Sequence, residues 1–265
     1  MKVKKGDFMI DKKNTRRMIS KYPFKYEKTD ADVFFNKEKA SIYIHIPFCL
    51  KRCHYCTYVT KTCSTSIERE RYVNAIIKDI ESFNQNGVFP EYEIESIYFG
   101  GGTPSLLTEK QLTQILSAIR KRFCVVEPLT DLCMEFDPAT VTDEKLECFK
   151  KLGFTRLSIG VQSFDDDVLA ASNRSHNADV ARKAIKKIKE HNIKNFNIDL
   201  IYPLQCQNMS TWKEDLLESI NFEPAEITAH VLEVWPGTKL EQMVKDGVYK
   251  LPSFKEEVRM PNEAY

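Results

Sequence analysis

Three cysteines stand close together just after the chain's first alternating apolar segment. They are Cys49, Cys53 and Cys56, in the spacing CxxxCxxC, and they follow residues 41–46. A closed zinc site takes four ligands, commonly in two CxxC-like pairs. A 4Fe–4S cluster held by three thiolates instead leaves one iron open to a substrate. The triad therefore indicates a metal centre, and an open iron–sulfur cluster is favoured over structural zinc or buried thiols.

Three side chains near the triad are candidates for a fourth ligand: His45, His54 and Cys63. A histidine next to a strand is at least as often a hydrogen-bonded core residue as a ligand, and we expect His45 to order the segment that carries the thiols. The other four cysteines fall on or beside predicted helices and strands. We expect them to be buried small apolar residues; they are Cys124, Cys133, Cys148 and Cys206.

A run of glycines, "FGGGTPS" at residues 99–105, follows a second apolar segment. The run is neither a GxGxxG motif nor a P-loop, which also needs a lysine, so it is a weak signal by itself. Successive glycines do expose the backbone and let a ligand approach closely. We expect such a turn to hold a zwitterionic amino-acid group.

Strands and helices alternate along the chain from residue 41 onward. The predicted strands are 41–46, 94–100, 131–136, 156–163, 195–202 and 226–234, and the predicted helices are 65–83, 108–123, 142–153, 177–192 and 210–222. This alternation indicates βαβ units and a parallel sheet. Residues 1–40 are polar and lysine-rich, and we expect them to form an N-terminal extension outside the main fold.

The unusual polar residues fall where these strands end. A parallel sheet collects its functional groups at the carboxyl ends of its strands. The triad follows the first strand, and the polar groups and glycines at the ends of the others are Gly101, Gly102, Thr103, Glu135, Gln162, Asp199 and Glu233. The sequence therefore predicts an active site along one edge of the sheet.

Composition excludes several classes of function. The 39 Lys and Arg residues nearly balance the 38 Asp and Glu residues, which gives no bulk attraction to nucleic acid or an anionic membrane. No apolar run reaches the ~18 residues of a membrane span, and no signal-peptide pattern opens the chain. We therefore expect a cytoplasmic protein whose clustered cysteines serve metal or redox chemistry rather than disulfides.

At this point the sequence resembles a known family. The triad, preceded by "YIHIPF", is similar to the cluster motif of radical S-adenosylmethionine (SAM) enzymes. More narrowly it resembles the oxygen-independent coproporphyrinogen III oxidase-like (HemN/HemW-like) family. Further motifs recur there in the same order: "GGGTPS", "EFDP" (135–138), "RLSIGVQSF" (156–164), "NRSH" (173–176), "NIDLIY" (197–202) and "PGT" (236–238).

The resemblance implies a partial (β/α)6 barrel of TIM type over residues 41–240, with 241–265 beginning a C-terminal segment that continues in the family. It implies a 4Fe–4S cluster that cleaves one or two bound SAM molecules reductively. The resulting 5′-deoxyadenosyl radical would abstract hydrogen from a small-molecule substrate, such as a porphyrin or a methyl acceptor. An electron donor such as a flavodoxin or ferredoxin would be the partner, with no nucleic acid and no membrane.

The resemblance also implies roles for individual residues, which match the family motifs position by position. Cys49, Cys53 and Cys56 would bind the cluster. Tyr43 and Tyr55 would line the SAM pocket, and Gly101, Gly102 and Thr103 would hold its methionine end. The remaining SAM contacts would come from Glu135, Gln162, Arg174, Asp199 and the backbone of Glu233.

Two departures from the family limit the assignment. The oxidases have a further cysteine two residues after the triad, where this chain has Tyr58, and their "LIYGLPGQ" reads "LIYPLQCQ" here, so that Pro203 changes the turn. Three hypotheses remain. The protein is a radical enzyme, including the methyltransferase and cyclopropane-forming branches; a haem chaperone that also carries a cluster; or a zinc-stabilised binding module.

Overall fold

The computed structural model describes residues 39–83, 92–250 and 259–260. The predicted N-terminal extension therefore lies almost wholly outside the described residues, as does much of segment 241–265. The predicted division into segments 1–40, 41–240 and 241–265 accordingly stays a prediction.

The described chain is an alternation of strands and helices. Its strands are β1 (Lys39–Ile46), β2 (Phe48–Cys49), β3 (Lys61–Thr62), β4 (Glu93–Gly101), β5 (Cys124–Val125), β6 (Asp131–Phe136), β7 (Arg156–Gln162), β8 (Phe196–Tyr202) and β9 (Glu226–Val231). Its helices are α1 (Ser66–Ser82), α2 (Glu109–Arg122), α3 (Asp143–Lys151), α4 (Asp166–Ala171), α5 (Ala178–Glu190), α6 (Met209–Asn221) and α7 (Lys239–Lys245).

The main sheet is parallel and follows the order of the chain. Its strands lie in the order β1-β4-β6-β7-β8-β9, and β5 pairs with the start of β4. Every pairing along this path is parallel. Sequential parallel strands joined by helices are the winding of a TIM-type barrel, so the predicted partial α/β barrel is confirmed.

One face of the sheet packs against the helices and forms the core. Strand residues such as Ile97 and Phe99 and helix residues such as Leu112, Ile115 and Ile119 are at most 1% exposed and belong to one apolar cluster. The opposite face carries polar side chains because successive residues of a strand point to opposite faces. The core therefore holds the strands in register while the polar face stays free for chemistry.

Local signals set the helix ends. Thr65 and Thr108 each accept a hydrogen bond from the backbone N–H three residues later, and Glu68 and Gln111 reciprocate, so α1 and α2 both begin with a capping box. Gly153, with φ +79°, follows α3. None of the helices in the described ranges is long and apolar enough to cross a bilayer.

Some predictions about the elements were wrong. Cys133 and Cys148 are buried as expected, but Cys124 and Cys206 are exposed. Cys124 lies in a two-residue strand beside β4, and Cys206 lies at φ +67° in the loop after β8, where neither position faces the core. The short elements β2, β3, β5, α4 and α7 were not predicted because they hold too few residues to show a periodicity.

Candidate functional site

The three cysteines lie in one loop at the carboxyl end of β1. This cysteine loop, residues 49–60, runs from the end of β2 to β3, which pair in a small two-stranded sheet of their own. Cys49, Cys53 and Cys56 are all half-buried, so their sulfurs are shielded from solvent but accessible. A backbone hydrogen bond of 3.2 Å from the N–H of Cys56 to the carbonyl of Cys53 tightens the turn between two of them.

Burial disfavours the charged form of two of these thiols, Cys49 and Cys56. It raises the pKa of Cys49 to about 11, against a hydrogen bond from Thr103 that lowers it, and it also raises the pKa of Cys56. Cys53 and Cys56 further disfavour the anion of Cys49, and Cys53 further disfavours the anion of Cys56. Metal binding would replace these protons, because the ligating form of a cysteine is the thiolate.

The triad matches the ligand set of a cluster better than that of a single ion. Within residues 39–83, 92–250 and 259–260, no three His, Cys, Asp or Glu side chains converge on one point as the ligands of one metal ion would. In a 4Fe–4S cluster each thiolate binds a different iron, so its ligands stand apart. The residues present therefore fit such a cluster.

Neither nearby histidine is placed as a fourth ligand. His54 Nδ1 donates to the carbonyl of Ala171 at 3.0 Å. His45 Nε2 donates to the carbonyl of Val59 at 3.0 Å, which leaves His45 Nδ1 to accept from the Tyr43 hydroxyl at 3.1 Å. His45 thus ties the end of the cysteine loop to β1, the ordering role expected of it. Cys63 is exposed, beyond the loop.

The glycine run at the end of β4 is packed against this loop. A Cβ on Gly102 would lie 2.7 Å from the carbonyl oxygen of Phe48, 2.8 Å from that of Ile46 and 2.9 Å from Cys49 Sγ. A Cβ on Gly101, whose φ is +110°, would lie 2.5 Å from the His45 ring. The glycines are therefore required first of all for close packing of the thiol-bearing segment onto β4.

A half-buried carboxyl group lies directly behind the glycines. Glu135 accepts from the Tyr98 hydroxyl at 2.7 Å and from the N–H of Gly101 at 3.0 Å. Burial raises the pKa of Glu135, although both hydrogen bonds lower it. Burial and the nearby Glu135 carboxylate together raise the pKa of Tyr43 to about 12. This corner of the site therefore offers neutral phenols and one carboxyl group.

Asp199 and its neighbours extend the polar face across the next strands. Asp199 accepts from Ser158 Oγ at 2.7 Å and from Asn197 Nδ2 at 2.7 Å. His230 Nε2 lies 3.7 Å from Asp199 Oδ1, and the nearby Asp199 carboxylate raises the pKa of His230. The arrangement can accept hydrogen bonds from a diol or present a cationic imidazole.

Arg174 reaches the triad from the loop between α4 and α5. Its Nη1 donates to Cys53 Sγ at 3.2 Å, and its Nη2 donates to Asp137 Oδ2 at 3.2 Å and to the Gly160 carbonyl at 2.6 Å. Burial alone would raise the pKa of Asp137, but His176, Arg174 and Ser175 outweigh it and hold that pKa well below its usual range. Asp137 is therefore an anion that fixes the guanidinium.

Several polar atoms at this edge are buried without a hydrogen-bond partner among the described residues. They include Gln162 Oε1, Arg174 Nε and the Tyr55 hydroxyl. Gln162 has φ +72°, and Tyr55 lies beside Cys53 and Arg174 without a well-formed hydrogen bond to either. Buried polar groups are ordinarily satisfied, so these atoms fit a site that holds a polar ligand.

The structure brings most of the predicted site residues to one edge, with one exception in position. β9 ends at Val231, so Glu233 lies two residues beyond the strand and is exposed. The roles of Asp137 and His176 were missed, although both stand inside the motifs "EFDP" and "NRSH". Tyr98 and His230 were missed as well. The only signal for them in the sequence is the alternation of polar and apolar residues along β4 and β9, which places each on the polar face of the sheet.

Three comparisons with known proteins agree with this geometry. The family profile of the radical SAM superfamily matches residues 43–218. A heme chaperone HemW from Buchnera aphidicola is 32% identical over 229 residues, which is 86% of this chain and 56% of that protein. An oxygen-independent coproporphyrinogen III oxidase from Pseudomonas aeruginosa is 29% identical, over 77% of this chain and 48% of that protein.

A solved structure shares the fold. Coproporphyrinogen III oxidase (HemN) from Escherichia coli, described as a radical SAM enzyme, superimposes with a TM-score of 0.73 at 24% identity, over 86% of this chain and 51% of that chain. The chain thus spans about half the length of the relatives that it matches.

Proposed function

The chain belongs to the radical SAM superfamily, within its HemN/HemW-like branch, and on that premise we propose that Cys49, Cys53 and Cys56 hold a 4Fe–4S cluster whose open iron binds SAM. When bound, the cluster would pass one electron, received from an external donor, to the sulfonium of SAM, and the products would be methionine and a 5′-deoxyadenosyl radical able to abstract hydrogen from a substrate. The observation that supports the proposal is the half-buried triad packed against a glycine run and an arginine.

The proposed SAM site uses the residues that surround the triad. The backbone of Gly101, Gly102 and Thr103 would take the methionine end, and Tyr43 and Tyr55 would line the pocket. Asp199 would accept hydrogen bonds from the ribose, because within the described part of the chain each of its oxygens accepts only one bond, from Ser158 or Asn197, and a carboxylate oxygen can accept two. Further contacts to one or two SAM molecules would come from Glu135, Gln162, Arg174 and the backbone of Glu233.

The substrate would lie over the polar face of the sheet. Ser158, Asn197, Asp199 and His230 offer hydrogen-bond donors and acceptors there, which suits a small molecule with polar substituents, such as a porphyrin or a methyl acceptor. The proposed partner is an electron donor of the flavodoxin or ferredoxin type. Such chemistry belongs in a reducing compartment, and we propose the cytoplasm.

An anaerobic assay tests this proposal. The protein is reconstituted with iron and sulfide, mixed with dithionite and SAM, and assayed for 5′-deoxyadenosine by chromatography, with Cys53→Ala as the control. We expect deoxyadenosine only with the intact triad. Equal amounts from the two proteins, or none from a wild-type protein that has taken up a full cluster, would exclude radical SAM chemistry in this chain.

A second candidate function is that of a haem chaperone that carries a cluster. Relatives that are 32% identical to this chain are named heme chaperone HemW, and the chain has Tyr58 where the oxidases have a further cysteine. Titration with haem, followed by its visible absorption, checks this candidate. Haem that binds stoichiometrically and passes to an acceptor protein without SAM cleavage favours the chaperone; no binding excludes it.

A further inference from the structure

We propose that the α4–α5 loop, residues 172–177, together with Ala171 before it, positions the cysteine loop before any cluster is bound, and that Arg174 is the positioning residue for Cys53. The inference takes from the proposed function only that the thiols are cluster ligands. It assigns to Arg174 a role on a thiol before SAM binds, in addition to the contact with SAM proposed above.

The backbone of the cysteine loop is held by this segment residue by residue. Asn173 Nδ2 donates to the carbonyl of Arg52 at 2.8 Å, the N–H of His54 donates to the carbonyl of Ser172 at 3.2 Å, and His54 Nδ1 donates to the carbonyl of Ala171 at 3.0 Å. The two segments run past each other in opposite directions. The carbonyl and N–H groups on either side of Cys53 are therefore fixed without help from a metal.

Arg174 adds a contact to the sulfur itself. Its guanidinium bridges Cys53 Sγ, the Asp137 carboxylate and the Gly160 carbonyl. Its side chain is only 10% exposed, so the charge acts at low dielectric, where a charge-assisted hydrogen bond is strong. A planar fork with both Nη groups in use is a rigid support for the sulfur.

The supporting loop is itself fixed from behind. Ser175 Oγ donates to Asp137 Oδ2 at 2.6 Å, and His176 Nε2 donates to the carbonyl of Val161 at 3.1 Å. The N–H of Ala178 donates to Asp166 Oδ1 at 2.7 Å, which closes the turn between α4 and α5. The α4–α5 loop is therefore anchored to the ends of β6 and β7, and through its contacts with the cysteine loop it fixes the thiols relative to these strands.

The first experiment uses the protein without its cluster. Hydrogen exchange of the amides in residues 50–56 is compared between wild type and Asn173→Gly. Asn173 has φ +57°, so glycine removes the side-chain bond to Arg52 without backbone strain. We expect roughly fivefold faster exchange there, the effect of losing one such bond.

Asn192→Gly is the matched control. Asn192 has nearly the same left-handed backbone, with φ +59°, but follows α5 on an exposed surface, so exchange in residues 50–56 should stay at the wild-type rate. Exchange that Asn173→Gly leaves unchanged would overturn the proposal. Because no cluster is needed, this result stands even if the proposed function fails.

The second experiment separates a role on the thiol from a role on SAM. The midpoint potential and the electron paramagnetic resonance spectrum of the reduced cluster are measured without SAM, in wild type, Arg174→Lys and Arg174→Gln. N–H donors to a ligating sulfur raise a cluster's potential. We expect the midpoint potential to fall most in Arg174→Gln and less in Arg174→Lys. A tenfold change in the equilibrium between oxidised and reduced cluster corresponds to about 59 mV.

Arg182→Gln is the control for loss of an arginine. Arg182 pairs with Glu218 across α5 and α6, away from the triad, so this variant should keep the wild-type potential. The proposal would be overturned if the Arg174 variants had the wild-type potential and spectrum without SAM and differed from wild type only after SAM was added. If the Arg174 variants do not fold, the exchange result with Asn173→Gly decides it.

Discussion

The cysteine loop and helix α2 are held in place by opposite means. Helix α2 buries Leu112, Ile115 and Ile119 against the sheet and begins with its own capping box. The cysteine loop has almost no regular secondary structure, and side chains from distant segments, such as Asn173 and Arg174, fix it through single hydrogen bonds. Both regions are held in the fold, but for different physical reasons.

The difference shows how a scaffold and a site divide their tasks. Apolar burial is non-directional, so α2 tolerates other apolar side chains of similar volume. Hydrogen bonds are directional, so the cysteine loop is placed accurately but depends on each donor. We therefore expect changes in α2 to alter stability and changes around the loop to alter ligand binding.

The change with the largest expected effect is Gly102→Ala. The added Cβ would lie under 3 Å from two backbone carbonyl oxygens and from Cys49 Sγ, so the cysteine loop must move away from β4. We expect the iron content after reconstitution to fall below about a tenth of the wild-type value, since a ligand site tolerates little displacement. Iron and sulfide analysis measures the result.

Gly153→Ala is the matched control for that variant. Gly153 also lies in a turn, at φ +79°, but no atom stands within 4 Å of an added Cβ. It should lose some stability through backbone strain and keep its iron. Equal iron in Gly102→Ala and wild type would show that the glycine run does not position the loop.

The second prediction addresses the helical layer. Ile115 on α2 is fully buried, so Ile115→Ala should lower the free energy of unfolding by about 4 kcal/mol through lost burial and a cavity. Urea denaturation measures it, and Ile115→Val, which removes a single methyl group, should cost about 1 kcal/mol. An Ile115→Ala protein with wild-type stability but without iron would contradict the view that α2 governs stability and the cysteine loop governs ligand binding.

The third prediction concerns a polar contact inside the helical layer. Burial raises the pKa of Asp215 from 3.8 to about 6, although Phe164, Ser163 and Gln207 donate hydrogen bonds to it. Because the folded state holds this proton more tightly, the associated stability is present below about pH 4 and is lost as the pH rises through 6. The loss amounts to about 3 kcal/mol.

Urea denaturation at several pH values between 4 and 7 measures this loss. The unfolding free energy of wild type should fall by that amount relative to Asp215→Asn, which cannot titrate. Parallel profiles for the two proteins would mean that Asp215 does not titrate in this range and that its hydrogen bonds prevail over burial.

The smallest expected effect is that of a helix cap. Thr108 accepts from the N–H of Gln111 at the start of α2, and Thr108→Ala should cost about 1 kcal/mol of unfolding free energy. Thr113→Ala is the control, because Thr113 lies within the same helix and its hydroxyl only bonds back to Glu109. Thermal denaturation that ranks the two variants the other way would refute the capping argument.

Much of the fold could be predicted because its signals are local. The strand 131–136 was predicted with its observed bounds, and the helix 108–123 differs by one residue at each end. Periodicity and caps depend on residues within one or two turns of each other. The six-residue helix α4 was missed since it is too short to show such a pattern.

The site could be predicted only in part. The triad and the strand-end residues were found because they share one edge of a parallel sheet. The support that Asn173 and Arg174 give to the cysteine loop was missed, because contacts between residues so far apart in sequence leave no local pattern. Glu233 was expected near a strand end but lies past it, since β9 stops at Val231.

The sequence distance across that support has a consequence during synthesis of the chain. Asn173 and Arg174 follow their partners Arg52 and Cys53 by 121 residues. Translation adds residues in order at roughly 5–20 per second, so the thiols leave the ribosome roughly ten seconds before the segment that fixes them exists. During that interval nothing from this segment positions the thiols, so an oxidant or a metal can react with them in an arrangement that the finished site would not allow. Delivery of iron and sulfide after the segment has been made avoids this outcome.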